Sequence, residues 1–257
     1  MAKWTAFPHL GDYRFETSRL RRDWDRLHAG DAQLLPRDDA VLHAWILYHA
    51  GDFQAAAEAG LKAGGEGITV ANKATCIYAT YLEKREKNKL DLLMEVAHRA
   101  EMQAAENPKD ANAWYWQGYA LGRYSQGISV ARALAQGLGS KVKEAFEITI
   151  KLQPRHADAY IALGAFHADV IDKVGTLIGG ITYGAKKETA LRLFQDGLKL
   201  HPVSAIAMIE YANALVMLEG DKKMKEATKL YEQSAHGKPM DAMERLHVDL
   251  ARAELAD

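Results

Sequence analysis

Apolar residues recur at helical spacing along nearly the whole chain. Tyr13, Leu20, Trp24 and Leu27 fall on one side of a helix at about 13–29. Met243, Leu246, Leu250 and Ala253 do the same at about 240–256. Between these ends the pattern breaks into paired helical segments. A pair at 38–64 turns at Gly51-Asp52 and is expected to bury Trp45, Leu47 and Phe53. A more degenerate pair covers 68–106, and three clearer ones run over 110–154, 156–202 and 203–239. No stretch alternates apolar and polar residues between hairpin turns, so the expected class is all-α.

The prolines mark the period. There are six, and Pro108, Pro154, Pro202 and Pro239 each follow a long amphipathic segment, where proline ends a helix or opens the next. An aromatic residue stands eight positions before three of them: Phe146, Phe194 and Tyr231. A large residue follows six positions after (Trp114, Tyr160, Met208), with a small one four further on (Gly118, Gly164, Ala212). A small residue lets two helix backbones approach, and large neighbours fill the groove beside it. The large residue six positions on is expected to be buried.

The pattern resembles the tetratricopeptide repeat (TPR), W-x2-L-G-x2-Y, then A-x3-F, then P. The copies are Tyr160-x2-Leu163-Gly164-x2-His167 with Ala190-x3-Phe194 and Pro202; Trp114-x2-Gln117-Gly118-x2-Leu121 with Val142-x3-Phe146 and Pro154; and Met208-x2-Tyr211-Ala212-x2-Leu215 with Ala227-x3-Tyr231 and Pro239. The resemblance implies an α-solenoid of about five TPR-like hairpins with N- and C-terminal capping helices, in one domain spanning 1–257.

Two of the hairpins carry extra residues between their helices, within Ser125–Ser140 and Asp172–Ala185. Such inserts emerge on one edge of a repeat array. Val130, Leu134 and Leu138 fall four apart, so the first is expected to lengthen its second helix by about three turns. The second holds four glycines among apolar residues and reads as a loop or short turn packed against its neighbour. Gly122-Arg-Tyr124-Ser-Gln-Gly127-Ile128, followed by Phe146-Glu147-x2-Ile150-x-Leu152-x-Pro154, Ala157 and Gly164, is similar to the regulator-of-microtubule-dynamics type of helical repeat, and to the T-component lipoproteins of TRAP transporters. From that likeness only the architecture is carried over.

Charge and composition narrow the function. Against 33 Lys+Arg stand 34 Asp+Glu, a net charge of −1, which gives no electrostatic reason to expect nucleic acid. No uncharged run exceeds 12 residues, as in Ala40–Gly51, short of the roughly 18 a spanning helix needs. No membrane insertion, signal peptide or lipid anchor is expected, and the location is read as cytoplasmic. The single cysteine, Cys76, lies in the apolar run Ala74–Leu82 and reads as an inert buried thiol.

Candidate chemistry is thin. Gly175-Thr-Leu-Ile-Gly-Gly180-Ile181-Thr182 lacks the lysine of a phosphate loop and follows a helix. Among ten histidines no pair has the four-residue spacing of a zinc helix; His43 and His49 are six apart. His167 stands at a packing position of the repeat. The mixed-sign runs Glu83–Lys89 and Lys222–Lys225 read as solvated turns. No catalytic residue, metal site or cofactor is expected, and the chain is read as no enzyme.

The TPR resemblance instead implies a concave face lined by the first helix of each hairpin. Carried over position by position, it places Asn112, Tyr115, Tyr119, Gly122 and Arg123 there in one hairpin. It places Asp158, Ile161, Ala165, Ala168 and Asp169 in the next, and Ile206, Ile209, Asn213, Val216 and Met217 in the last. Among these, Asn112, Tyr115, Tyr119, Arg123, Asp158, Asp169, Ile209 and Asn213 are the candidate partner-binding residues. The expected function is a scaffold holding a protein or peptide in that groove. Its rivals are a groove filled by a terminal helix of the same chain, and a small-molecule or lipid pocket beneath the glycine-rich insert 174–185. No feature of the sequence selects an oligomeric state.

Overall fold

The computed structural model describes residues 3–256, and among them every regular element is helical. In chain order the α-helices are α1 (Thr17–Leu27), α2 (Asp39–Ala50), α3 (Phe53–Ala63), α4 (Gly67–Tyr81), α5 (Glu86–Glu106), α6 (Ala111–Gln126) and α7 (Val130–Ala135). They continue as α8 (Leu138–Leu152), α9 (Ala157–Tyr183), α10 (Lys187–Leu200), α11 (Ala205–Glu219), α12 (Met224–Ala235) and α13 (Ala242–Glu254). A 3-10 turn, Gly220–Lys223, precedes α12.

Local chemistry sets these boundaries. Asp38 opens α2 by accepting from the amides of Ala40 and Val41, and Asp110 opens α6 by accepting from Asn112 and Ala113. Such caps satisfy amides that have no partner inside the helix. Gly51 closes α2 at φ 90°, a left-handed conformation that disfavours side chains, and Asp52 at once caps α3. The prolines act through their carbonyls as well as their rings. Trp114 Nε1 donates to the Pro108 carbonyl at 3.0 Å, and the Tyr160 hydroxyl donates to the Pro154 carbonyl at 3.3 Å. The large residue six positions after the proline is therefore half-buried over the turn, with its polar tip facing the turn backbone, and Met208 is half-buried too. The expectation of burial at this position is corrected: Trp114 and Tyr160 each reach the exposed turn that holds their proline, which keeps part of the ring at the surface.

The chain forms two compact units, with the division falling inside α8. The first comprises the residues up to His28, Gln33–Ala145 and Met240–Met243. Its helices pack in sequence order, α2 on α3, α3 on α4, α4 on α5 and α5 on α6. At the α3–α4 crossing a Cβ on Gly60 would stand 2.5 Å from the Gly67 carbonyl oxygen, and one on Gly67 would stand 2.5 Å from that of Gly60. Only paired glycines allow this approach. Across α4 and α5 the contact is partly polar: Arg99 Nε donates to Asn72 at 2.7 Å and Gln103 Nε2 to Thr69 at 2.8 Å.

The second unit comprises Ala29–Ala32, Phe146–Pro239 and the residues from Glu244 on. Here the small–large pairing expected from the sequence is realised. A Cβ on Gly164 would lie 3.1 Å from the Phe194 ring, and one on Gly197 would lie 2.6 Å from Ile161 Cδ1. Phe194, fully buried, stacks on Tyr211 at 5.3 Å between ring centroids, in a core with Ile161, Ala168, Ala207 and Leu215. A second cluster joins Ile209, Ala235 and Ala251 of α11, α12 and α13.

Both inserts differ from expectation. The first does not extend α8. Ser129 caps a separate six-residue helix, α7, and Gly137 at φ 64° turns the chain before α8 begins. The second is not a loop. Helix α9 continues through it but kinks at Gly175, at φ 80° and ψ 159°.

Gly60→Ala is expected to cost about 1–3 kcal/mol, because the helices must separate to admit a methyl group. Gly122→Ala, inside α6 where a Cβ meets only Val142 at 3.7 Å, is expected to stabilise by roughly 0.5–1 kcal/mol. Thermal unfolding of the two variants against the parent chain measures both.

Candidate functional site

The concave positions split by their place in the repeat. Tyr115, Ile161 and Ile209 stand at equivalent positions, and all three are buried. Each has an evident cause: Tyr115 packs edge-on against Trp116, Ile161 fills the hollow over Gly197, and Ile209 lies beneath α12 and α13. Three residues before Tyr115, Asn112 is buried and donates to Gln33 at 2.8 Å. In the second unit the Asp158 amide donates to the Gly30 carbonyl at 2.9 Å, and a Cβ on Gly30 would meet the Asp158 carboxylate at 2.5 Å. The stretch after α1 thus takes up the openings of both first helices, each within its own unit.

What stays half-open lies further along the same helices. Tyr119 shares a hydrogen bond with Thr80 at 3.2 Å, and the Arg123 guanidinium sits 5.4 Å from its ring centroid. Asp169 and Asn213 are half-buried, and Asn213 accepts from the Tyr231 hydroxyl at 2.5 Å. Of the eight candidate residues, Asn112, Tyr115 and Ile209 are closed off by the chain itself. Asp158 is engaged by Gly30, whereas Tyr119, Arg123, Asp169 and Asn213 keep part of their surface.

The inserts present surfaces that the groove reading missed. Beyond the Gly175 kink, Leu177, Ile178 and Ile181 are 76%, 58% and 79% exposed, while Gly179 is buried against Val170. The glycine face of this short helix packs inward and its aliphatic face points out. The spacing i, i+1, i+4 was the available signal, read as packing because apolar residues are usually inside. At the first insert α5, α6 and the start of α8 border a half-open hollow of about 430 Å³, lined by Met94, His98, Glu101, Leu121, Tyr124 and Leu138 among others.

Groups with potential chemistry are otherwise sealed. Cys76 is fully buried, and burial pushes its thiol well up from its ordinary value despite Arg99 and Arg123 nearby. His49, buried between aromatic rings, joins Asp241 at 2.6 Å through Nδ1 and His28 at 3.2 Å through Nε2. This chain of contacts ties the segment before α13 to α2 and to the end of α1. His167 is buried with its ring edge-on to Phe166, and His156 caps α9 by accepting from the Ala159 amide. Glu83, expected in a solvated turn, is half-buried; the Arg85 amide and the Tyr78 hydroxyl donate to it and hold its carboxyl below the usual range. Among the described residues no group of three or more His, Cys, Asp and Glu is placed to hold a metal ion. None of the helices among them is long and apolar enough to cross a membrane.

With this geometry in place, comparison with known proteins speaks to the fold. The solved structure of a thermophilic TPR protein from Thermus thermophilus aligns with a TM-score of 0.58, covering 84% of this chain and 98% of that one. The fold is a TPR-like helical repeat. At 16% identity the likeness is one of fold alone. No protein-family model and no curated protein matches the sequence.

Cys76 is expected to resist thiol reagents in the folded chain at pH 8 and to react fully in concentrated guanidinium. The sign of the pH effect follows. The unfolded thiol ionises from about pH 8.5, whereas the buried one does not, so this contribution to stability is present below that pH and lost above it. Asp241→Ala leaves buried His49 without its short contact and is expected to cost about 1–3 kcal/mol in denaturant unfolding.

Proposed function

We propose that the chain is a non-enzymatic helical-repeat scaffold that binds a partner protein or peptide. The observation that carries this reading is the outward aliphatic face of the second insert. Leu177, Ile178 and Ile181 sit on a helix braced by Gly179, and water faces three large side chains that nothing in their own unit covers. Exposed apolar surface gathered on one face marks contact sites, and repeats of this fold present their insertions for binding. The half-open positions Tyr119 and Arg123 in one unit, and Asp169 and Asn213 in the other, are the parts of the original groove that we assign to partner contact. The closed positions Asn112, Tyr115 and Ile209 serve the fold.

The alternative, a small-molecule or lipid pocket beneath residues 174–185, draws no support from the insert's geometry. Its aliphatic side chains point away from the body they would have to cover.

Affinity capture from a lysate of the source cell tests the proposal. The parent chain is expected to enrich a defined protein. The double variant Leu177→Asp with Ile181→Asp is expected to reduce that enrichment at least tenfold, with its melting temperature unchanged. Equal enrichment by both chains, or no enriched protein at all, would contradict the reading.

A further inference from the structure

The contact between His28 and His49 has room for one hydrogen. Their Nε2 atoms lie 3.2 Å apart, so one ring donates and the other accepts. Both are buried in the first unit, His28 as the residue that closes α1 and His49 in the last turn of α2. His49 Nδ1 also meets the Asp241 carboxylate at 2.6 Å. A neutral pair, or one bearing a single positive charge, keeps one hydrogen between the two Nε2 atoms. With both rings charged, each Nε2 carries its own hydrogen and donor faces donor. The contact is then lost.

The surroundings decide which ring yields. A charge on His49 is balanced at 2.6 Å by Asp241, so the pair parts on the side of His28. His28 stacks on Trp24 at 4.0 Å and stands edge-on to Trp45 at 4.6 Å, and Trp24 meets Trp45 edge-on at 5.8 Å. The His28 ring, pinned against two indoles that join α1 to α2, withdraws together with the end of α1. Two cations stand on rings that pack against His49 and oppose a second charge. From α4, Lys73 Nζ is 5.2 Å from the Tyr48 ring and 5.5 Å from that of Trp45. From α1, the Arg19 guanidinium is 4.4 Å from the ring of Phe15. Asp31, three residues past His28 in the chain, is a second buried carboxylate. Neither carboxylate removes the clash, which arises between two hydrogens.

We propose that this pair is an acid-sensitive latch: charging His28 lifts the C-terminal end of α1 off α2. A free imidazole takes its charge near pH 6.5. Once released, the ring lies at a helix C-terminus, where the dipole favours positive charge. The open state binds one proton more than the closed one. Falling pH therefore favours opening, by up to about tenfold per pH unit below roughly 6.5.

Indole N–H spectra of the full chain between pH 8 and pH 5 test this. Trp24 Nε1 donates to the Gln33 carbonyl at 2.8 Å beside the latch, whereas Trp114 Nε1 donates to the Pro108 carbonyl at another turn. The Trp24 signal is expected to gain a second position whose population rises with acid, by up to about tenfold per pH unit, while the Trp114 signal stays. Labelled imidazole nitrogens of the parent chain are expected to show the last hydrogen-free Nε2 of the pair vanish over the same range. His28→Gln keeps a donor and an acceptor for His49 but takes no charge. Its Trp24 signal is expected to hold its place down to pH 5. A parent chain whose Trp24 signal does not change, or whose five indole signals all move together, overturns the proposal. An acid response undiminished in His28→Gln overturns it too. So, whether or not that variant folds, does loss of the hydrogen-free Nε2 in the parent chain with Trp24 unmoved.

Discussion

At the crossing of α3 and α4, Gly60 and Gly67 face one another across a gap that no side chain can enter. In the second unit the same constraint takes another form: Gly164 and Gly197 leave hollows that Phe194 and Ile161 fill. Close approach of paired helices decides which side chains are spent on the hairpin itself. Ile161 is the clearest case. The repeat pattern would place it on a groove, yet like its equivalents Tyr115 and Ile209 it is buried, here in the hollow left by the missing Cβ of Gly197.

On the proposed reading, that constraint leaves partner contact to the margins of the fold. Once Tyr115, Ile161 and Ile209 are committed to packing, and the stretch after α1 engages Asn112 and Asp158, the first helices keep only part of their surface. The inserts are under no such demand. Neither is required for a hairpin to close, so their apolar faces are free to serve contacts beyond the unit that bears them. Polar chemistry in the interior is used for cohesion: His49 with Asp241 and His28 joins separate parts of the chain, and Arg99 with Asn72 bridges two helices.

The hairpins were legible in the sequence because helical spacing and proline punctuation report on backbone directly. Gly51-Asp52 turned as read, and Phe146 and Phe194, eight before their prolines, are both buried. Trp114 and Tyr160, six after their prolines, were misjudged because a hydrogen bond to a turn carbonyl leaves no mark in a hydrophobic pattern. The inserts were harder for a related reason. Whether a glycine such as Gly137 or Gly175 adopts positive φ depends on what surrounds it, and that choice separated a long helix from a broken one and a loop from a kinked helix. Of the candidate site, the first-helix positions were recognisable, but which of them the chain would cover was set by Gly30, Gln33 and α13. Those segments lie far away in sequence and carry no motif.

Native-state hydrogen exchange resolved along the chain tests most directly the claim that the hairpin crossings hold the fold while the inserts are displayed from it. The amides of α3, α4 and the first turns of α9 after its cap should exchange only at the free energy of global unfolding, and those of 130–135 and 176–183 much earlier, through local opening. Inserts protected as strongly as the helices on either side would contradict the account, since they would then belong to the core.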